Sequence, residues 1–451
     1  MIDIKQLRAD SERFIRGARL KGIAADIAGL LELDGKLAKA RQELQDVRTV
    51  QNTAGKAIAK LAGGAKDKAI AEMKQAKDRA KELDEQIAQL EPRYQELLLQ
   101  VPQPPDDDVP AGKSAADNVE KSRWSPKWFD TAKSFAENKG FAPKTHIELG
   151  ERLGLIDLER GVRMAGTRSY VLTGRGMMLH QAVLRLAFDF MAQEQGFTPV
   201  SVPVLVREEM MVGTGFFPFG KDQAYEIRET DRGGAQDLYL TGTGEVGLMG
   251  LHAGEILEGA SLPRRYVTLS TCFRREAGAA GKDTAGLYRI HQFDKVEQVV
   301  LCRADEQESR GWHRKMIGFV ETLMQRLELP YRLLQCCTAD LGPKNADMVD
   351  IETWMPSRGP EGADGRAAGE YGETHSASRL YDYQCRRLDL RYRDSETKKV
   401  AVCHSLNNTV IASPRILIPI LELYQNADGT VTVPEVLRPH MGGLNQIEPV
   451  A

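Results

Sequence analysis

The sequence predicts an α+β protein in two parts, an N-terminal antiparallel helical coiled-coil hairpin and an antiparallel sheet flanked by helices. Two observations carry this. A heptad seam runs through most of the first quarter of the chain, and the remainder holds short strand-like runs without the regular strand–helix alternation of a parallel sheet.

In the first part, Leu30, Leu33, Leu37, Ala40, Leu44, Val47, Gln51, Ala54, Ile58 and Leu61 recur at alternating spacings of three and four, polar only at Gln51. Gly63-Gly64 breaks the pattern, which resumes with Met73, Ala76, Ala80, Leu83, Ile87, Leu90, Tyr94, Leu97 and Val101. The Pro-rich, acidic segment 102–110 then stops it, because proline lacks the N–H that a continuing helix needs. This predicts an arm over about 28–102 within an N-terminal domain of residues 1–115. Each limb of about 32 residues reaches roughly 50 Å.

Charge on the arm is uneven. Between Lys56 and Lys81 there are eight basic residues (Lys56, Lys60, Lys66, Lys68, Lys74, Lys77, Arg79 and Lys81) against three acids (Asp67, Glu72 and Asp78). On an arbitrary coiled coil such charge is usually a solvated face. A rod with its cationic excess at the distal end is better explained by phosphate contact, which is long-range and reads little sequence.

In the second part, residues 116–451, strand-like runs cover 168–172, 199–206, 238–241, 266–273, 295–301, 331–337, 349–354, 383–392 and 400–406. Helical patterns cover 178–195, 304–327 and 416–425. Short loops join them, so an antiparallel sheet with helices packed on it is the natural assembly.

Composition bounds the function. A chain of 451 residues exceeds what one core usually supports, so two domains are expected. A net charge of −3 excludes a globally basic nucleic-acid binder, and any contact with RNA must be local. The six cysteines form no C-x-x-C pair, which fits a reduced, cytoplasmic setting. No apolar run reaches the ~18 residues that span a bilayer, and the N-terminus has no signal-peptide core. Membrane contact is not expected.

The densest chemistry lies at 271–297. Two apolar strands flank a Gly- and Ala-rich loop that carries Arg274, Arg275, Lys282 and Arg289. A guanidinium makes two parallel charge-assisted bonds to a phosphate or carboxylate, so such a loop can close over a polyphosphate. Glu276 and Glu297 would repel that phosphate and must face an amine or ammonium. A solvated hairpin of paired charges is the plainer alternative.

Phe273-Arg-Arg-Glu-Ala-Gly followed by His291-Gln-Phe-Asp-Lys-Val-Glu297 resembles the second signature motif of class II aminoacyl-tRNA synthetases, specifically the seryl-tRNA synthetase family. The likeness runs from Met1-Ile-Asp to Val433-Pro-Glu-Val-Leu-Arg-Pro-His-Met-Gly-Gly443. It implies the class II catalytic fold over the second part and ligation of L-serine to serine tRNA with ATP. It also implies an N-terminal arm that clasps the long variable arm of that tRNA. Selenocysteine tRNA is a candidate second substrate.

Site residues follow from the resemblance one by one. Gly242-Thr-Gly-Glu-Val-Gly247 matches G-x-G-x-x-G, but Glu245 would repel a pyrophosphate and no βαβ unit follows. The resemblance instead places Thr243, Gly244 and Glu245 on a loop that holds the amino acid's ammonium. It implies Arg274 on the serine carboxylate and the α-phosphate, and Glu297 and Thr409 on the serine hydroxyl. It places Arg274, Arg275, Glu276, Phe293, Glu373, Thr374, His375, Ser376 and Arg415 along ATP, with Arg274 and Arg415 as the catalytic arginines. Phe293 and Arg415 would bracket the adenine, although Phe293 reads equally well as a core aromatic.

A carboxylate and a hydroxyl at 373 and 376 can supply hard oxygen ligands to Mg²⁺, though taken alone such a pair is more often a surface loop. By resemblance, Glu373 and Ser376 match the family's metal positions. His291, His375 and His404 lack a metal-ligand spacing, and an ionised carboxylate nucleophile needs no general base.

Some positions depart from the family's common bacterial pattern. Gly244 stands where alanine is usual, Thr374-His375 where small residues are frequent, and Asn407-Asn-Thr-Val where Asn-Gly-Ser-Gly is common. Thr409 keeps a hydroxyl. The Gly- and Ala-rich segment 359–372 reads as a loop insertion. The helix over 178–195 and the strand after Gly196 resemble the first motif, at the class II two-fold interface, which implies a homodimer. Two other classes stay open: a synthetase paralogue that charges a carrier protein, and a non-catalytic coiled-coil RNA-binding protein.

Overall fold

The computed structural model describes residues 1–58, 62–234, 236–278, 286–361, 365 and 367–449. Lys60 and Lys282 lie outside them, as does the side chain of Lys56. The chain divides into two compact units, Met1–Pro104 and Pro105–Ala451. The acidic run after Pro105 is built into the second unit. Asp106 accepts from Arg379 and from Tyr381 Oη at 3.1 Å, and its backbone N–H bonds Ala346 at 2.9 Å.

In the first unit, short helices Ile4–Ala9 and Ser11–Leu20 precede a hairpin of α1 (Ile27–Ile58) and α2 (Gly64–Gln100). Seam residues Leu30, Leu37, Ala40, Leu44, Ala80, Leu83 and Leu97 are buried, while Gln51 and Ala54 are half-buried. Apolar packing therefore thins toward the tip. Ion pairs bridge the helices: Arg48 with Asp84 at 2.9 Å, Arg79 with Glu43 at 2.7 Å, and Arg41 with Glu91. Such exposed pairs stabilise little singly, but they disfavour a slipped register.

An eight-stranded sheet organises the second unit: β1 (Val119–Trp124), β2 (Thr198–Pro199), β3 (Arg264–Phe273), β4 (Gln292–Cys302), β5 (Tyr331–Gln335), β6 (Asp347–Met355), β7 (Glu370–Tyr381) and β8 (His404–Ser413). The spatial order is β1-β5-β6-β7-β8-β4-β3-β2, and every neighbouring pair is antiparallel except β2 with β3. Helices α3 (Gly174–Asp189), α4 (Glu245–Gly250), α5 (Glu306–Arg326), α6 (Tyr383–Arg387) and α7 (Leu417–Leu423) accompany it.

One face of the sheet is the core. Leu179, Val183, Met316, Val320 and Ile420 from α3, α5 and α7 cluster with Val296, Val300, Leu406, Val410 and Ile411. Each such burial stabilises by about 1.5–3 kcal/mol. The two-residue period of β4 then sorts its chemistry. Asp294, Val296 and Gln298 turn to the helices, with Gln298 bonding the Met316 carbonyl at 3.2 Å. Phe293, Lys295 and Glu297 turn to the opposite face, which is the site.

Three segments differ from the sequence expectation. Residues 199–206 form no single strand, and only their ends belong to short ones, β2 and Leu205–Arg207. Residues 383–392 form α6 and then a separate strand, Arg391–Arg393, because Tyr383, Gln384 and Cys385 are all buried by a turn of helix. Residues 373–376, read alone as a loop, lie inside the long strand β7, whose start at Glu370 also takes in the end of the supposed insertion. Pairing with β6 imposes that conformation on a segment whose own residues favour turns, and β8 joins only from Ala377 onward.

Candidate active site

Three strands carry the nucleotide end. Arg274 leaves the end of β3 with Nε donating to the Gly242 carbonyl at 3.2 Å, its guanidinium 5.3 Å from the Phe293 ring centroid. Arg415, just beyond β8, donates from Nε to the Tyr288 carbonyl at 3.2 Å and from Nη1 to the Glu373 carbonyl at 3.1 Å. Arg274, Glu276, Phe293, Glu373, Thr374 and Arg415 all line one cavity, which reaches Thr409 at its inner end.

That cavity has a volume of about 50 Å³. Tyr288 lines both it and a neighbouring cavity of about 470 Å³. The guanidinium carbons of Arg415 and Arg358 lie 4.5 and 4.3 Å from the Tyr288 ring centroid. The ring thus borders both spaces.

A bulge makes the oxygen cluster. Residues three apart on a regular strand face opposite ways. In the β6–β7 ladder Ile351 pairs with His375 and Glu352 with Glu373, so Thr374 is the extra residue and Glu373 regains the face of Ser376. Asp350 pairs with Ser376 on that face. Its Oδ1 is sealed from solvent without a hydrogen-bond partner, and burial followed by the neighbouring Glu373 pushes its carboxyl well above the usual range. These are hard oxygen donors with one carboxylate oxygen unspent, a set that fits a small divalent cation.

The inner end is a buried charged network. Lys295 pairs with Glu297 and donates to Thr243 Oγ1 at 2.8 Å, while Thr409 Oγ1 lies 3.5 Å from Glu297 Oε2. Burial pushes the Glu297 carboxyl up, and Lys295 opposes that shift. Glu245, on the first turn of α4, receives Lys344 at 2.8 Å, Gln384 at 2.6 Å and Asn407 at 2.5 Å.

The predicted residues thus fall into places of different kinds. Arg274, Glu276, Phe293, Glu373, Thr374, Thr409 and Arg415 share the cavity wall, and Thr243, Gly244, Glu245 and Glu297 lie in the buried network behind it. Arg275 is exposed and turns away, its N–H on the Gln223 carbonyl at 3.0 Å. Ser376 sits beside Asp350 rather than on the wall. His375 faces the core, 1% exposed, and burial holds its ring neutral with a pKa lowered to about 3. In the first unit, Lys66, Lys68, Lys74, Lys77 and Lys81 are exposed, whereas Arg79 is engaged by Glu43 and by Glu82 at 3.0 Å.

Sequence reading gave no role to Lys344, Gln384, Asn407 or Tyr288; Lys344 and Gln384 reach the site from segments with no recognisable motif, whereas Asn407 and Tyr288 lie within segments singled out for other residues. Lys295 had a signal, the alternation Phe293, Lys295, Glu297. His180 on α3 was missed too: it contacts Ser413 Oγ at 2.8 Å and Asp294 Oδ2 at 3.0 Å, tying that helix to both catalytic strands. Burial works against ionisation of Asp294, yet the His180 and Thr271 bonds hold it below the usual carboxylate range.

Comparison with known proteins follows the same division. Residues 1–105 match the family model described as seryl-tRNA synthetase N-terminal domain, and residues 225–424 match the tRNA synthetase class II core domain (G, H, P, S and T). A serine--tRNA ligase of Deinococcus radiodurans is 42% identical over 444 residues, with 98% of each chain covered. One from Streptomyces coelicolor is 38% identical over 452 residues, with 100% of each covered. Among solved structures, seryl-tRNA synthetase from Pyrococcus horikoshii complexed with ATP superimposes with a TM-score of 0.86 at 35% identity over 100% of both chains.

Proposed function

The chain belongs to the seryl-tRNA synthetases, and we propose from that premise how its residues divide the work. It activates L-serine with ATP to seryl-adenylate and transfers the seryl group to serine tRNA. One observation supports the residue assignment above the others: Arg274 and Arg415, remote in sequence, line a single cavity that ends at Thr409 and the Lys295–Glu297 pair.

The serine carboxylate, already ionised, attacks the α-phosphorus, and the bond from that phosphorus to the bridging α–β oxygen breaks to release pyrophosphate. Arg274 bridges nucleophile and electrophile and offsets charge in the pentacoordinate transition state. Arg415 and Phe293 hold the adenine, while Glu276, Glu373 and Thr374 on the same cavity wall complete the ATP site. Thr243 and Glu245 hold the ammonium, with Gly244 leaving room between them. Glu297 and Thr409 bond the serine hydroxyl, and alanine, lacking it, would leave these buried groups unpaired.

Glu373, Ser376 and the unspent oxygen of Asp350 are the residues that would hold Mg²⁺. When bound, the ion neutralises phosphate charge. Residues 1–115 serve as the tRNA-binding domain through the cationic tip, and 116–451 as the catalytic domain. A homodimer is supported by exposed Met177, Met178 and Leu269 near the first-motif helix. No helix among the described residues is long and apolar enough to cross a membrane, consistent with a cytoplasmic site of action.

The test is serine-dependent exchange of pyrophosphate into ATP, followed by charging of serine tRNA and of selenocysteine tRNA. Arg274→Lys lowers exchange by about a hundredfold or more, since an ammonium cannot bridge two oxyanions with the fork geometry. Exchange that survives this change at the wild-type rate removes Arg274 from the mechanism.

A further inference from the structure

Thr268, Glu297 and Thr409 form one row across β3, β4 and β8, since Glu297 is paired with Thr268 on one side and with Thr409 on the other. Directly opposed residues of antiparallel strands present their side chains to the same face. Thr268 therefore shares the face of the two residues assigned to the serine hydroxyl. It is fully buried, and its own hydroxyl has no hydrogen-bond partner. An orphaned buried hydroxyl costs stability, so its contribution here is volume rather than polarity.

Gly244 is the complement of that volume. Its φ of −65° is one that any residue adopts, so the backbone does not require glycine. A Cβ at 244 would instead lie 2.4 Å from Thr268 Cγ2 and 2.9 Å from Ser270 Oγ, with Glu297 Cβ at 3.6 Å. The Thr268 methyl thus fills the space between the ammonium loop and Glu297 that a side chain at 244 would take.

We propose that Thr268, interlocked with Gly244, is a specificity-determining residue that closes the amino-acid side-chain pocket beside Glu297 and excludes the extra methyl of threonine. This rests on the assignment of Glu297 and Thr409 to the serine hydroxyl.

Pyrophosphate exchange driven by serine and by threonine tests it in five variants. In Thr268→Ala the kcat/KM ratio of threonine to serine rises by about tenfold or more, the usual effect of one methyl in a pocket. Thr268→Val keeps the wild-type ratio. Gly244→Ala lowers serine kcat/KM, and adding Thr268→Ala to it restores the loss, which also covers the case in which the single alanine variant fails to fold. An unchanged ratio in Thr268→Ala, a raised ratio in Thr268→Val, or strictly additive losses in the double variant overturn the proposal. The fifth variant, Glu297→Gln, separates the two levels. If it leaves the serine KM at the wild-type value, the hydroxyl assignment itself fails; if it raises that KM while the Thr268→Ala ratio stays flat, only the wall assigned to Thr268 fails.

Discussion

Lys344 donates to both carboxylate oxygens of Glu245, each at 2.8 Å, and its ammonium lies 4.1 Å from the centroid of the Phe216 ring. The two ends of this pair are almost fully buried, so each charge depends on the other. Lys344→Met keeps the bulk and leaves a carboxylate held only by the neutral amides of Gln384 and Asn407. Removing one partner of a buried pair costs about 3 kcal/mol or more, visible as a lowered urea midpoint at neutral pH. Adding Glu245→Gln recovers most of that stability, because it removes the stranded charge. A midpoint that Lys344→Met leaves in place shows instead that the two amides suffice.

Arg415 contributes a plane as well as a charge. Its two bonds to the carbonyls of Tyr288 and Glu373 fix the guanidinium over the Tyr288 ring, its central carbon 4.5 Å from the ring centroid. Arg415→Lys keeps the charge and loses the plane. The expected result is a fall of about thirtyfold in kcat/KM for ATP, roughly 2 kcal/mol, with the KM for serine little changed. Equal effects on both substrates point to a collapsed site rather than a missing stacking partner.

His375 makes stability depend on pH. Burial lowers its pKa to about 3 in the folded chain, against 6.5 for the exposed ring. Between these values the unfolded chain binds the extra proton, so stability is complete above about pH 6.5 and is lost as pH falls toward 3. One proton corresponds to about 1.4 kcal/mol per pH unit. Urea melts at pH 5 and 7.5 should show a smaller pH-dependent loss in His375→Leu than in the wild type, by about 2 kcal/mol. Identical losses in both chains mean that His375 is protonated in the folded state.

What could be read in the sequence was whatever has a period or a compact motif. The seam of Leu37, Ala40, Leu44 and Leu83 shows as spacing, and the apolar runs of β3 and β4 show as strands on either side of the Arg274 loop. The face on which Glu297 lies was legible in the alternation Phe293, Lys295, Glu297, whereas its assignment to the serine hydroxyl rests on the resemblance. The middle strand β7 was not, because Gly372-Glu-Thr-His-Ser376 takes its extended form from pairing with β6 rather than from its own propensities. Lys344 and Gln384 reach Glu245 through tertiary folding that no local pattern encodes. The fit of Gly244 to Thr268 is a matter of volume between residues on separate segments, and composition is blind to it.

The distal arm separates binding from chemistry. Lys66, Lys68, Lys74 and Lys77 are exposed on α2, whereas Arg79 spends its guanidinium on Glu43 at 2.7 Å and Glu82 at 3.0 Å. Changing the four lysines to glutamate therefore lowers charging of serine tRNA by about a hundredfold and flattens its salt dependence by roughly 0.7–0.9 in logarithmic slope for each phosphate that is no longer neutralised. Serine-dependent pyrophosphate exchange stays at the wild-type rate, because that half-reaction uses no tRNA. Arg79→Ala behaves differently: it frees Glu43 and loosens the hairpin, so it lowers the melting temperature of the arm more than it alters the salt slope. Exchange that declines in step with charging in the four-lysine variant assigns those residues to folding instead of to RNA.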